Sequence, residues 1–538
     1  MTDDGKTPQL PMGWMILPLG NFIECIEAGA NFKCEERPPH DEETGVAKIS
    51  AVTWGEYDED ESKTCRDVAR IAPNLLIAPG DFLFSRANTI SLVGACVIAR
   101  RVTRRVMLSD KILRLRLRGV EPAWVLYFLR SAVGRSHIER LATGNQESMR
   151  NIGQDRIRSI PVPIAPRVEQ QRTIAAIEQH LSDIDAGVAS LERVLANLKR
   201  YRASVLKDAC EGRLVPTEAE LARKEGREYE PGDVLLRRIL DERRARWEAD
   251  QLAKMSAKGQ VPRDERWKAK YEEPKKPDRS ELPKLPEGWA WAKLGSVADV
   301  QLGQQRAPVH AAAEVTYPYV RAANITWRGL DLSDVKQMGF PDPDRYRLEP
   351  GDVLLSEASG SPSEVGKPAI WRGEIPGCCY QKTLLRVRSY CSELLPEWLH
   401  LGFMRDALSG RFAKMAPGVG ILHLTAERML EWPVLIAPVA EQRRILAEVA
   451  RLLSITDEMD RVVDVQLARA RRLRQSVLKS AFEGKLVPQD PNDEPASALL
   501  DRLRTARAQA SAANGSGRTS RRGRAKVLQA DEGGLDDG

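Results

Sequence analysis

Ser204-Val-Leu-Lys-Asp-Ala-Cys-Glu-Gly-Arg-Leu-Val-Pro216 reads as the exit of a long helix, and the chain writes it twice. Residues 476–488 run Ser-Val-Leu-Lys-Ser-Ala-Phe-Glu-Gly-Lys-Leu-Val-Pro, so adding 272 to each number carries the first copy onto the second without a gap. The same shift carries Pro161 to Pro433, Pro166 to Pro438 and Glu169-Gln170 to Glu441-Gln442. A chain duplicated with one long unit in each half suits a target that also comes in halves.

Upstream of each exit lies the helix itself. After Pro166, apolar residues recur at three- and four-residue spacing through Ile174, Ile177, Leu181, Ile184, Val188, Leu191, Leu195, Leu198 and Val205. This heptad pattern is the mark of a coiled-coil helix. In the second half Val449, Val463, Ala470 and Val477 match Ile177, Leu191, Leu198 and Val205. Its other row is wider, over Ile445, Leu446, Leu452, Leu453 and Met459. Arg202 and Arg474 hold equivalent seam positions and Thr456 matches Ile184; polar seam residues fix register at some cost in stability. A helix of roughly 43 residues is about 65 Å long at ~1.5 Å per residue. Two with matching stripes are expected to pack on each other, antiparallel if the rod is to hold a globular domain at each end.

Working outward, each half opens on a turn with a core tryptophan: Leu10-Pro11-Met12-Gly13-Trp14 and Leu285-Pro286-Glu287-Gly288-Trp289. Pro79-Gly80-Asp81 and Pro350-Gly351-Asp352 are tight turns that lead into apolar runs, Phe82 to Ser85 and Val353 to Ser356, which read as buried strands. Ile112 to Arg116 and Leu384 to Arg388 alternate, predicting half-buried strands with arginines on one face. Pro122-Ala123-Trp124 and Pro396-Glu397-Trp398 each start a helix. The fold class is therefore α+β (mixed α/β): two similar globular domains, each followed by a long helix, the helices forming an antiparallel coiled coil with pseudo-twofold symmetry.

The halves are joined by a charged connector, 217–284, with a helix over Val234 to Ala257 (Leu235, Ile239, Trp247, Leu252) and a strap rich in Pro, Lys and Glu. Even this piece has an echo: Glu230-Pro231 with Leu235-Leu236 resembles Glu494-Pro495 with Leu499-Leu500, giving a short amphipathic segment at 489–510. The tail, 511–538, has a disorder-prone composition.

With 538 residues the chain is too long for a single core. A net charge of +6 permits an anionic partner without requiring one. Eight cysteines without a Cys-x-x-Cys pair argue against a zinc ribbon or disulfide framework and point to a reducing, cytoplasmic setting. The first ten residues have no signal-peptide character, and no run nears the ~20 apolar residues of a membrane helix.

Catalytic motifs are scarce. Gly360 to Pro368 fails as a phosphate loop, because its glycines are one residue too far apart and Pro368 replaces the Ser or Thr that would bind magnesium. Pro38-Pro39-His40 lacks the flanking residues of an amino-methyltransferase motif. The six histidines show no ligand spacing with each other or with cysteine, so no metal site is expected.

This ordered, duplicated set of motifs resembles the specificity (S) subunit of type I restriction–modification systems. The resemblance rests on Ile160-Pro-Val-Pro-Ile-Ala-Pro166 with Glu169-Gln170-Gln171-Arg172, on Trp432-Pro-Val-Leu-Ile-Ala-Pro438 with Glu441-Gln442-Arg443-Arg444, and on the Leu-Pro-x-Gly-Trp openings and Glu-Gly-Arg/Lys-Leu-Val-Pro exits. It implies target-recognition domains at 1–165 and 285–437 and spacer helices at 166–216 and 438–488. It also implies a non-catalytic subunit reading a bipartite, asymmetric DNA site and docking two adenine-N6 methyltransferase subunits, with two restriction subunits beyond them. S-adenosylmethionine, ATP and Mg would reside on those partners, with no cofactor on this chain. Glu169, Gln170, Arg172, Glu441, Gln442 and Arg444 are the candidates for helix start and partner docking.

Base-reading candidates are the planar or hydroxylated donors next to the strands: Arg86, Asn88, Asn145 and Gln146 in the first half, and Gln304, Gln305, Arg306, Ser359 and Ser361 in the second. Arg114, Arg116, Arg386 and Arg388 are candidates for phosphate contact. Two other readings remain open: a coiled-coil scaffold that never reads sequence, and a stand-alone DNA-modifying enzyme.

Overall fold

The structure is a computed structural model. It describes residues 10–509 except 147, 148, 263, 281, 312, 360, 362, 363, 416–421 and 507, and omits the side chains of Val68, Asn145, Val309, Ala311 and Met415. The disorder expected of 511–538 lies outside the described residues. The chain divides into two compact units, one of residues 1–191 with 465–538, the other of 192–464. Each unit therefore holds one globular domain, the first part of one long helix, the last part of the other, and a segment that follows a helix exit.

In the first unit a four-stranded antiparallel sheet runs in the order Ile23–Ala28, Ile112–Leu117, Phe82–Ser85, Cys96–Ile98. In the second the order is Ala298–Leu302, Leu384–Ser389, Val353–Ser356, Pro368–Ile370. A three-stranded sheet lies alongside in each. Thr44–Ala47 pairs antiparallel with Ser62–Cys65 and parallel with Arg105–Met107; Tyr317–Val320 does the same with Lys336–Met338 and Cys379–Tyr380. The two units thus follow one topology although their loops share almost no sequence.

The predicted Pro-Gly-Asp turns form as expected, with Gly80 and Gly351 at φ +92° and +97°, values a Cβ would oppose. Asp81 and Asp352 each close the turn by accepting from a backbone N–H at 2.8 Å, that of Ala78 and of Glu349. The strands that follow are buried at every position. Pro122–Arg130 and Pro396–Leu408 are helices, and each sends a tryptophan into the core. The Trp124 and Trp398 indoles both donate at 2.8 Å to a strand carbonyl just before the long helix, Pro163 and Leu435.

The units differ where the helix exit meets that core. Phe482 stacks edge-on against Trp124 and Phe128 in the first unit, at 5.0 and 5.3 Å. Its counterpart in the second is Cys210, and a small cavity opens there between Cys210, Trp398, Gly402 and Phe403. Two aromatic rings are replaced by two small residues, and the neighbours do not fully close the gap. Burial pushes the Cys210 thiol up to about 12, so it behaves as a small apolar side chain.

Both long helices have 44 residues, Arg167–Cys210 and Val439–Phe482. Ile174, Ile177 and Leu181 pack with Val477 and Leu478 in the first unit, and Arg474 pairs with Asp185. In the second, Val205, Leu206 and Ala209 share a core with Ile445 and Val449. Within each unit one helix's numbers rise as the other's fall, so the segments are antiparallel. The apolar stripe of the first helix is its less exposed face throughout.

One seam residue is corrected. Met459 is 50% exposed, and Asp460 turns inward instead. Arg202 explains the exchange: its guanidinium binds the Thr456 hydroxyl at 3.1 Å, Asp460 at 2.8 Å, and Asp457. A stripe drawn through apolar residues misses this, because the cation recruits the acid. Arg474 has the equivalent partner, Asp185, but meets Ile184 where Arg202 meets Thr456. Leu252 of the connector helix (Gly232–Ala257) is likewise exposed, while Leu235 and Ile239 are buried as expected.

Arg202→Ala is expected to lower stability by about 1–3 kcal/mol, because Thr456 and Asp460 lose the donor that satisfies them. Arg474→Ala, with one half-exposed ion pair, should cost less than about 1 kcal/mol. Calorimetric melting of both variants beside the parent checks this, and equal losses would contradict it.

Candidate nucleic-acid interface

A buried hydrogen bond joins the start of each domain to the start of its helix. The Trp14 indole donates to Glu169 at 3.0 Å, and the Trp289 indole to Glu441 at 2.9 Å. Gln170 and Gln442, fully buried, donate at 2.8 Å to the Ala165 and Ala437 carbonyls. Glu441 also accepts from the Glu218 N–H at 2.9 Å. Arg172 grips Asp493, and Arg444 grips Glu218, both just past a helix exit. Glu169, Gln170, Glu441 and Gln442 are therefore corrected as docking candidates: they are internal fasteners, with no face left for another chain.

The short echo noted in the sequence belongs to the same joint. Ala496 N–H donates to the Gly13 carbonyl at 3.0 Å, and Gly232 N–H to the Gly288 carbonyl at 2.7 Å. Glu230 binds Arg238 as Glu494 binds Arg502. The repeated Glu-Pro thus places the same helix start against the same opening turn.

The arginine strands also carry a structural load. Arg114 is 1% exposed and binds Asp81 at 2.8 Å, the Leu76 carbonyl at 2.8 Å, and Glu27. Arg386, also buried, binds Asp299. Arg388 holds Asp352 at 2.6 Å and Glu349 at 2.6 Å, and Arg116 holds Asp81 at 2.9 Å. Arg114 and Arg386, being buried, are corrected as phosphate contacts, while Arg116 and Arg388 hold their carboxylates from partly exposed positions. A buried carboxylate in a turn needs a cation beside it, and the alternating strand supplies one.

The base-reading candidates behave differently. At Arg86 the chain leaves the four-stranded sheet: its N–H donates to the Lys111 carbonyl and its carbonyl accepts from Ile152, both at 2.9 Å. Ala87–Asn88 then pairs with Met149–Asn151, which pairs with Thr143–Gln146. Asn88, Asn145 and Gln146 thus lie on one small sheet, with Arg86 where the chain enters it. Gly144 permits it, since a Cβ there would stand 2.5 Å from the Met149 carbonyl oxygen. Gln146 is exposed, and the Asn88 side chain accepts from the Thr89 N–H at 2.8 Å. Of Asn145 only the backbone is described.

In the second unit Glu357 takes the place of Arg86, donating to the Thr383 carbonyl at 2.9 Å and accepting from Leu424 at 2.7 Å. Ala358–Ser359 pairs with Leu422–His423. Gln304 accepts from the Lys382 N–H at 2.9 Å, so Gln304 and Gln305 lie beside the same Lys382-Thr383 edge. Arg306 is exposed, and Ser361 follows the strand with its N–H on the Ser359 hydroxyl at 3.0 Å. Among the described residues neither Arg86 nor Arg306 has a carboxylate partner, unlike the strand arginines.

Sequence reasoning missed three residues here. Arg150 stands opposite Asn88, donating at 2.5 Å to the Gly144 carbonyl. Glu357 and His423 sit together, 2.9 Å apart, at the second rim. The counterpart relation Arg86–Glu357 was legible only as a shared position after the Pro-Gly-Asp strand. No group of His, Cys, Asp and Glu among the described residues could hold a metal, and no described helix is long and apolar enough to cross a membrane.

Burial pushes the Glu441 carboxyl above the ordinary glutamate value, opposed by its bonds from Glu218 and Trp289. A raised acid favours the folded state most at low pH, and that contribution is lost as pH rises through the raised value. Glu441→Gln is therefore expected to cost more stability at pH 4 than at pH 7. Denaturant titrations of variant and parent at both pH values test this, and an equal or reversed difference would refute it.

No protein-family model matches the chain. Its sequence is 31% identical over 212 residues to the specificity subunit of the type I restriction enzyme EcoEI of Escherichia coli, covering 39% of this chain and 36% of that protein. It is 22% identical over 529 residues to the EcoKI specificity subunit of Escherichia coli strain K12, covering 93% of this chain and 97% of the relative. Among solved structures, a chain of a type I R-M system superposes with a TM-score of 0.53 at 18% identity, covering 89% of this chain and 99% of that one. This last likeness speaks for the fold.

Proposed function

We propose that this chain, which belongs with the specificity subunits of type I restriction–modification systems, reads a bipartite, asymmetric DNA site through its two globular domains. The observation that carries the reading is the pair of rims. One scaffold is built twice, down to its strand order and buried Arg–Asp turns, and bears different polar side chains at matching places: Arg86 against Glu357, Asn88 against Ser359. Common cores with divergent rims suit two half-sites of different sequence. The Arg86 and Arg306 guanidiniums, without a carboxylate partner among the described residues, and the rim amides match the donors that pair with guanine and adenine edges in the major groove.

The subunit is non-catalytic in this reading. Two adenine-N6 methyltransferase subunits dock on it, through exposed surface of the long helices rather than the buried Glu-Gln fasteners, and restriction subunits join through them. S-adenosylmethionine, ATP and Mg belong to those partners. The helices set the distance between half-sites, and the shared Arg–Asp seam pairs keep their register.

The test uses the chain assembled with its modification partners. A map of N6-methyladenine in cells carrying both gives the site, and binding is then measured with each half scrambled in turn. Loss of affinity with either half scrambled is expected; loss with only one would overturn the bipartite reading. Arg86→Ala should weaken binding by about 1–3 kcal/mol and relax one position in a single half-site. A uniform loss across all sequences, with a shallower salt dependence, would make Arg86 a phosphate contact instead.

A further inference from the structure

Glu35 and Thr64 exchange both backbone hydrogen bonds, each N–H donating to the other's carbonyl at 3.0 Å. They form a hydrogen-bonded antiparallel pair on the free edge of strand Ser62–Cys65, whose other edge pairs with Thr44–Ala47. The register holds on one side, where the Lys63 ammonium meets the Glu36 carboxylate at 2.5 Å. On the other side it sets Cys34 opposite Cys65.

Positions flanking a hydrogen-bonded antiparallel pair are non-hydrogen-bonded, with Cα atoms about 4.5 Å apart. That lies within the range of about 4.4–6.8 Å that a disulfide spans. Both residues belong to one apolar cluster with Phe32, Val46, Ile71 and Met107. After burial, the Cys65 thiol is the next cause that raises the Cys34 thiol above its ordinary value. Cys34 is half-buried and reachable from solvent, Cys65 is buried, and both are free thiols. Cys378 and Cys379 of the second unit, by contrast, are consecutive and fall in different clusters.

We propose that Cys34 and Cys65 form a disulfide site that peroxide oxidises, tying the edge segment 29–43 to the first domain's three-stranded sheet. The Cys34 thiolate attacks hydrogen peroxide, breaking its O–O bond and giving a sulfenic acid and, with a proton, water. The Cys65 thiol then attacks that sulfur and displaces the hydroxyl as a second water, so two thiols and one peroxide yield one disulfide and two waters. Burial, and next the Cys65 sulfur, push the Cys34 thiol above its ordinary value. Little thiolate is present near neutrality, so the reaction is slow there and quickens with pH. The closed bond would restrain the unfolded chain across the 34–65 loop and raise the melting temperature. It would also fix the network in which Glu35, Arg37 and Glu43 of that segment meet Arg66 beside Cys65.

The test treats the full chain with hydrogen peroxide at pH 7 and pH 8.5, alkylates remaining thiols, and maps tryptic peptides without reduction. The expected product joins the Cys34 and Cys65 peptides, two hydrogen masses lighter than their sum, and forms faster at pH 8.5. Dithiothreitol should dissolve it, and Cys34→Ser or Cys34→Ala should leave Cys65 open to alkylation after denaturation. Recovery of both cysteines as alkylated thiols, or of Cys34 as sulfinic acid beside a free Cys65, would overturn the proposal.

Discussion

The structure depends on a carboxylate buried at the start of each long helix. Glu169 and Glu441 lie under the opening turn of a domain, and each takes its hydrogen bond from the tryptophan of that turn. A carboxylate so placed is costly unless donors reach it. The requirement therefore fixes several things at once: the first residues of the domain, the last strand before the helix, and the angle at which the helix leaves. The Gln beside each Glu bonds the strand carbonyl, and the arginine one turn on binds a carboxylate beyond a helix exit. One cluster of about six residues thus closes three chain segments into a joint, and the chain builds the joint twice.

From that joint the rest follows by packing. The strand before the helix pairs with the strand after the opening turn, Met15–Pro18 with Pro161–Ile164 and Ala290–Lys293 with Pro433–Ile436. The tryptophans of the following helices bond back to the same strands. The four-stranded sheets are held by a second repeated device, a Pro-Gly-Asp aspartate met by an arginine from the neighbouring strand. Both devices bury charge inside the domain, away from the rim residues Arg86 and Glu357. Arg86 and Glu357 differ in sign at one backbone position, and Glu357 meets its own partner, His423, at the second rim.

Much of this was legible beforehand. The 272-residue offset, the heptads, the turns and the helix starts are local signals, and turn chemistry and periodicity report them directly. Asn88, Asn145 and Gln146 share one small sheet with Arg86 at its entry, a meeting that no spacing in the sequence announces. Burial of the charged residues was not legible. An alternating Leu-Arg-Leu-Arg strand looks half-exposed until the partner strands bring Asp81 and Asp352 beneath it. Glu-Gln at a helix start looks like a surface motif until the tryptophan of a distant turn is set above it. Asp460 displaced Met459 from the seam for the same reason: the partner that attracts it, Arg202, lies on the other helix.

The sequence by itself determined the duplication, the order of parts and the secondary structure, because each depends on residues a few positions apart. Only the tertiary structure decided which charges are internal fasteners and which face outward, because that depends on donors and acceptors contributed by other segments, from the neighbouring strand to the far end of the chain. The same holds for Cys34 and Cys65, which no spacing pattern relates. A single pair of backbone hydrogen bonds, between Glu35 and Thr64, sets one thiol opposite the other.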